Sequence, residues 1–486
     1  MRYNYLLLFV LFSLVPWPNA VIRAEPVKPP QPEAISFFGM NTYITGQERY
    51  RNDGEAGVAE LTRLGRQAGI AWAREEISWA NLETHTKGGW NWRFMDNRVS
   101  QLADEGYGVI GMLLTTPKWA RVGDCAARAR RAATEEYWCP PVNPRDFADY
   151  VWTVIERYDG DGLFDAPGSP RIAAWQIWNE PSAALTWPGS PREYGEMLVA
   201  AYQAGKAADP TAVIALGGMY IFDGLGTDPT DAIPFLNAMV RDVPESLHTF
   251  DALAIHPYMT SAAPDAPGIH ATITLWGRIQ RAQRWLNEHP GIPGVRPLWI
   301  SELGWSNCRC GDPHCDPSLT RDEQLPARYM VRSHAIALAL GVQHLSYFQL
   351  EDKFDGQRGA CDDAAGILDL RAAGYRQKPA YTAYRTMTTL LSGAGFREFG
   401  RLHRYRLDPQ DQNYAGFYHL RFNTPGNLRV DVLWRTLGSQ EIDLPLDARH
   451  TAELISRDGV RVPLNGSRAR FVVAEDPIYL VQRPVR

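Results

Sequence analysis

Residues 174–181 read Ala174-Trp175-Gln176-Ile177-Trp178-Asn179-Glu180-Pro181, an apolar run that ends on an amide, an acid and a proline. The aromatic and branched residues make it a strand, and Pro181 cannot continue the ladder. A second stretch is built the same way: Leu298-Trp299-Ile300-Ser301-Glu302-Leu303 also delivers a glutamate out of an apolar run. Working outward from these two, the strand candidates are 37–43, 69–77, 107–115, 172–179, 212–219, 250–257, 297–303 and 343–350. Helical patterns fill the intervals at 55–68, 96–105, 145–158, 191–208, 271–289, 323–340 and 376–391. Strands alternating with helices imply parallel pairing through right-handed crossovers, and eight such units fit a closed (β/α)8 TIM barrel. The competing topology, a doubly wound open sheet, carries a Gly-rich phosphate turn after its first strand, and Gly39-Met-Asn-Thr-Tyr-Ile-Thr-Gly46 is not one. In a barrel the C-terminal strand ends form the ligand-binding rim, which puts Glu180 at the end of strand four and Glu302 at the end of strand seven.

The flanks read differently. Residues 1–24 have Arg2 followed by the apolar run Leu6 to Val15, with Ala24 as a small residue for cleavage. This is the pattern of a secretory signal, and the run is too short to span a bilayer. An uncleaved inner-membrane anchor is the alternative. Residues 25–34 hold four prolines and form a linker, so the barrel is expected over 35–392. From about 395 the texture becomes short alternating strands at 413–421, 428–434, 440–443, 450–455, 460–464, 468–473 and 477–481. Asn465-Gly466 between two of them signals a tight hairpin. Residues 395–486 are therefore expected to form a β-sandwich-like domain.

Six cysteines behind an export signal favour disulfides, with Cys125–Cys139 the most local pair and Cys308, Cys310, Cys315 and Cys361 left for two more. The run from Cys308 to Cys315, which includes His314, does not have the spacing of a standard zinc site. Fifty basic against 55 acidic residues give a net charge of −5, which provides no footprint for nucleic acid. Nucleophile-elbow, phosphate-loop, zincin and dinucleotide motifs are absent, so esterase, kinase, metalloprotease and dehydrogenase readings lack support. No cofactor and no metal are expected.

Two carboxyl groups on one rim suit hydrolysis of an acetal. One is protonated to assist the leaving oxygen; the other is ionised to attack the anomeric carbon, and a spacing of about 5–5.5 Å gives retention. Asn179-Glu180-Pro181 and Ser301-Glu302 resemble glycoside hydrolase clan A. Thr116-Pro117-Lys118-Trp119-Ala120, Arg157-Tyr158 and Ala254-Ile255-His256-Pro257-Tyr258 are similar to glycoside hydrolase family 39, most of all to its bacterial exopolysaccharide endoglycosidases. The resemblance covers about residues 35–390 and implies a secreted, retaining, endo-acting enzyme. It implies Glu180 as acid/base and Glu302 as nucleophile. Asn179 would bond the sugar 2-hydroxyl, Tyr258 would reach the nucleophile carboxylate, and Arg74 would lower its pKa. His256, on the same rim, is a further substrate-site candidate.

Other residues are read from their positions. Trp119, Trp187 and Trp305 fall on rim loops and are the expected sugar platforms, whereas Trp178 inside strand four is expected to be core. Arg128, Arg130 and Arg131 between the first two cysteines either bind an acidic glycan or form a solvated face. Many clan members end strand eight on Trp; here Tyr347-Phe348-Gln349-Leu350-Glu351-Asp352 stands there, and Gln349, Glu351 or Asp352 is a candidate sugar contact. The expected partner is a polysaccharide or oligosaccharide, with exopolysaccharide export machinery as a further one, and the chain is expected to be a monomer. The competing readings are a non-catalytic polysaccharide-binding or export scaffold on the same barrel, and a transglycosidase.

Overall fold

A computed structural model describes residues 35–46, 54–222, 228–259, 262–266, 274–289, 296–307, 322–352, 364–369, 374–401, 403 and 416–485. The expected signal and linker, and Cys308, Cys310, Cys315 and Cys361, lie outside them.

Eight parallel strands close into a barrel in sequence order: β1 (Phe38–Asn41), β2 (Trp72–Ser78), β3 (Gly108–Leu114), β4 (Ala174–Asn179), β5 (Val213–Tyr220), β6 (Ala252–His256), β7 (Leu298–Leu303) and β8 (His344–Tyr347). β1 pairs with β8 and completes the ring. All eight fall where the apolar runs place them. Strands buried on both faces need such near-continuous apolar runs. Helices such as Pro144–Arg157, Pro191–Ala208 and Gln324–Ala339 follow the strands. Their starts are written locally: Ser190 and Glu193 form a reciprocal capping box, and Asn143 accepts from the backbone N–H of Arg145.

Inside the barrel, Trp72 and Trp299 share one buried apolar cluster with Ala174, Ala215, Ala252 and Ala254. Small residues on some strands make room for large ones on others: a Cβ on Gly108 would lie 2.5 Å from the Trp72 ring. Two residues further along the strands, the inward positions become polar: Arg74 on β2, Gln176 on β4 and His256 on β6. The apolar cluster is thus a plug, and the polar layer above it is the base of the rim.

The C-terminal part is antiparallel. Its strands are β9 (Gly395–Phe399), β10 (Phe417–Thr424), β11 (Leu428–Arg435), β12 (Gln440–Pro445), β13 (His450–Ser456), β14 (Arg461–Leu464), β15 (Arg468–Val473) and β16 (Ile478–Pro484). One sheet runs β14-β13-β16-β11-β10-β9, and β12-β15 forms a second. Phe417, Leu433 and Leu480 of the larger sheet share a buried cluster with Ile442, Leu444, Ala469 and Val473 of the smaller, which makes the arrangement a sandwich. The hairpin expected at Asn465-Gly466 does not form. Gly466 does turn the chain with φ +92, but β14 pairs with β13 and β15 with β12, so the turn joins the two sheets. β9 was not anticipated; it pairs with β10, and much of it is exposed.

No helix among the described residues is long and apolar enough to cross a membrane. Cys125 and Cys139 form the expected disulfide, with Cα atoms 5.7 Å apart.

Candidate active site

Alternation along a strand sends neighbouring side chains to opposite faces, so Asn179 and Glu180 should not share a cleft. Left-handed backbone at Trp178 (φ +69) and Glu180 (φ +49) turns the end of β4 so that they do. Such conformations cost free energy outside glycine and cluster at functional sites. The Glu180 N–H donates to the Gly218 carbonyl at 2.8 Å, which keeps the turned segment on β5. β7 solves the same problem with a register shift between Ile300 and Leu303, so that Ser301 and Glu302 both meet inward groups.

Arg74 is fully buried and is the hub. Its Nε donates to Gln176 Oε1 at 3.1 Å, and one terminal nitrogen donates to Asn41 Oδ1 and Glu302 Oε1, both at 2.6 Å. The other terminal nitrogen donates to Asn179 Oδ1 at 2.8 Å and faces Met112 Sδ. Asn41 in turn donates to the Ser301 carbonyl at 3.0 Å and to the carbonyls of Ser346 and Tyr347, tying β1, β7 and β8 together beneath the site. The Glu302 carboxylate also accepts from Tyr43 Oη at 3.2 Å and from Tyr258 Oη at 3.0 Å. Burial alone pushes its pKa up. His256, then Arg74 with its charge and hydrogen bond, then the Tyr258 hydrogen bond outweigh that and hold the carboxyl at about 2. Burial and then Glu302 raise both tyrosines well above their usual value, so they stay donors. Burial works against the Arg74 charge, but Glu302 raises its pKa overall.

Glu180 has a different partner. His256 Nδ1 lies 2.7 Å from Glu180 Oε1 and 3.7 Å from Glu302 Oε2, and His256 Nε2 lies 2.9 Å from Ser301 Oγ. Glu180, His256 and Glu302 each present an atom within 4.8 Å of the others. That spacing would suit a cation's ligands, but the Arg74 guanidinium already occupies Glu302 and repels one. Asp159, Asp161 and Asp165 form a second such group, on the loop that enters β4 at the opposite end of the barrel.

The structure therefore brings Glu180, Glu302, Asn179, Arg74, His256 and Tyr258 together. Trp119 lies on its rim loop, half-buried, with Nε1 donating to the Glu83 carbonyl at 2.9 Å. The other two expected platforms are corrected. Trp187 is 1% exposed, edge-on to Trp178 and Tyr194, and donates to the Ser190 carbonyl at 3.1 Å. Trp305 is 3% exposed, edge-on to Tyr329, and donates to the Ala262 carbonyl at 2.9 Å. Both offer packing rather than an open face. Trp178 is fully buried in the core.

At the end of β8, Gln349, Glu351 and Asp352 are all buried, and Asp352 is paired with Lys378 Nζ at 2.6 Å. Phe348 packs edge-on against the two tyrosines that donate to Glu302, its ring 5.9 Å from that of Tyr43 and 6.3 Å from that of Tyr258. Arg128 is used in ion pairs with Asp124 and Glu193, both at 2.8 Å. Glu75 is buried beneath the segment after β1, accepting from the Thr42 hydroxyl and from Thr45 N and Oγ1 at 2.8 Å. Burial pushes its pKa up to about 7 against those bonds.

Asn41, Tyr43 and Ser301 were missed as site residues. The available signal was the form of the first strand, which ends on Asn41, with Tyr43 two residues on, much as β4 ends on Asn179.

No protein-family model matches the chain, and no curated protein matches it. Solved structures do. A family 39 glycoside hydrolase from the gut symbiont Bacteroides cellulosilyticus WH2 superposes with a TM-score of 0.63 at 19% identity, over 88% of this chain and 78% of that one. The GH39 enzyme from Xanthomonas axonopodis pv. citri gives 0.60 at 15% identity, over 92% and 94%. A GH39 β-xylosidase from Caulobacter crescentus gives 0.58 at 15% identity, over 94% and 98%. At these identities the likeness is one of architecture: the chain has the fold of family 39 glycoside hydrolase structures, across both the barrel and the sheets that follow it.

Proposed function

We propose that the chain is a retaining β-glycoside hydrolase. The carrying observation is that carboxylate oxygens of Glu180 and Glu302 lie within 4.8 Å of one another, with an arginine on one and a histidine on the other. An inverting pair stands about 6.5–9.5 Å apart to admit a water, whereas a retaining pair is closer. Glu302, held ionised, attacks the anomeric carbon while Glu180 gives its proton to the departing glycosidic oxygen. The sugar is then joined to Glu302 through an ester. Glu180, now ionised, takes a proton from water, whose oxygen displaces Glu302 and restores the original anomeric configuration.

Asn179 Oδ1 is occupied by Arg74, which turns its amide nitrogen to donate to the sugar 2-hydroxyl. That bond acts where charge develops in the transition state and supplies about 1.5–3 kcal/mol, while the Tyr258 hydroxyl keeps Glu302 ionised and oriented for attack. The substrate we assign is a β-linked polysaccharide cleaved internally, an exopolysaccharide met after export. Solved relatives of the fold include a β-xylosidase and a GH30 endoxylanase. The disulfide and the sequence of residues 1–24 support export.

The test is trapping. A panel of 2,4-dinitrophenyl 2-deoxy-2-fluoro-β-glycosides should add one fluorosugar to the protein, and the modified peptide should carry it on Glu302. Glu302→Gln should take up none. Hydrolysis of the matching glycoside with inverted product would overturn the reading. Viscosity of a cleaved polysaccharide falling well ahead of reducing-end release would support internal cleavage.

A further inference from the structure

We propose that the C-terminal sheets belong to the catalytic apparatus: Trp434 and the carbonyls beside it clamp the segment after β6 through Asp265, and so position Tyr258 against Glu302. The inference rests on the hydrolase reading above.

Segments that connect strands to helices run over surfaces, yet Asp265 is 0% exposed. Its carboxylate takes Arg332 at 3.2 Å on both oxygens and the Trp434 indole N–H at 2.6 Å. Arg332, buried on the helix Gln324–Ala339, gives its other donors to the sheets: to the Glu475 carbonyl at 3.1 Å and the Arg435 carbonyl at 3.0 Å. Trp434 is held in turn by a parallel stack on Tyr418, with centroids 4.3 Å apart. Three elements distant in sequence thus meet at one buried carboxylate. A buried ion pair is a poor source of net stability, because well-packed apolar groups do as well; what it supplies is a fixed geometry.

The fixed geometry leads to the active site. The Pro264 carbonyl accepts from Leu275 N at 3.0 Å, the Ala262 N–H reaches the Met259 carbonyl at 3.1 Å, and the Ala262 carbonyl takes the Trp305 indole at 2.9 Å. Trp305 lies three residues beyond Glu302. Arg278, buried, holds the Tyr258 carbonyl at 2.8 Å. The segment is therefore tied at 258, 262, 264 and 265, with the Tyr258–Glu302 contact at one end and the sheets at the other. Trp305, expected to hold sugar, is a strut in this path, and Trp434 is a positioning residue.

Trp434→Phe keeps the stacked ring and removes the N–H. Arg468→Ala is the control: it breaks an exposed bridge from β15 to Asp443 on β12 (2.9 Å) and touches neither the segment nor the residues of the clamp. Hydrogen–deuterium exchange in the full-length protein, which needs no substrate, should rise several-fold over residues 252–266 in Trp434→Phe and not in Arg468→Ala. Against the dinitrophenyl β-glycoside that the wild type turns over fastest, Trp434→Phe should lose about tenfold in kcat/KM. Its acid limb should move to higher pH, as in Tyr258→Phe. The double variant should be no slower than Tyr258→Phe alone, because both act through one contact. Unchanged exchange overturns the proposal, and so do additive losses. Near-normal turnover by Glu302→Gln would instead sink the hydrolase reading and leave the exchange result to judge the clamp.

Discussion

Arg74→Met tests the electrostatic core of the site. Methionine keeps an unbranched apolar stem and removes the guanidinium from Glu302, Asn41, Gln176 and Asn179. Leaving one member of a buried ion pair alone costs about 3–5 kcal/mol. The pH dependence is more diagnostic. Glu302 drops from an ordinary carboxyl value of 4.5 to about 2 on folding. At about 1.36 kcal/mol per pK unit, the difference of 4.5 − 2 contributes about 3 kcal/mol to stability, shared between His256 and Arg74. Because the folded value is the lower one, this stability is complete above the unfolded value of 4.5 and is lost as pH falls towards 2. Without Arg74, burial raises the carboxyl and much of that term goes. The stability gap between wild type and Arg74→Met should then be widest at neutral pH and narrow steadily below about pH 5. Arg74→Met with Glu302→Gln should be more stable at neutral pH than Arg74→Met alone, since no buried charge is then left unpaired. Urea unfolding at several pH values, followed by tryptophan fluorescence, measures both. A gap that does not change with pH, together with no relief from Glu302→Gln, would refute the argument.

Gly218 is expected to be irreplaceable. A Cβ there would sit 2.1 Å from His256 Nε2 and 2.5 Å from Ser301 Oγ, so Gly218→Ala should cut kcat/KM by about 100-fold or more while circular dichroism stays native. The tryptophans should separate by role. Trp187→Ala should cost about 3–5 kcal/mol in urea unfolding. Trp119→Ala should cost much less stability and raise KM for oligosaccharides. Replacing Cys125 and Cys139 by Ser should cost about 3 kcal/mol in urea unfolding under non-reducing conditions, the value for a loop of roughly 15 residues.

What the chain declares in its sequence and what it withholds divide along one physical line. A strand is a local property, and so is an acid at its end, so the eight strands, Glu180 and Glu302 stand out residue by residue. Side-chain partnership across the barrel is not local. Asn41 is opposite Arg74 because β1 and β2 pair in that register, and it reaches Ser301 and Ser346 because β1 closes onto β8 and the ring brings β7 round. No stretch around Asn41 contains that information. The same distinction explains Trp187 and Trp305. Leu185-Thr186-Trp187-Pro188 has the composition of an exposed loop, but the indole finds Trp178 and Tyr194, which belong to other elements. The Asn465-Gly466 turn shows the limit most sharply: its chemistry bends the chain as expected, but Ala452↔Leu464 and Ile442↔Phe471 decide the partners. Backbone strain works in the opposite direction. Trp178 and Glu180 adopt conformations that no local preference would choose, and the price is tolerated because packing around β4 and β5 enforces them. The departure from local rules at Glu180 is therefore itself evidence about where the chemistry lies: a core strand with no task beyond packing would have kept its alternation and sent Asn179 and Glu180 to opposite faces.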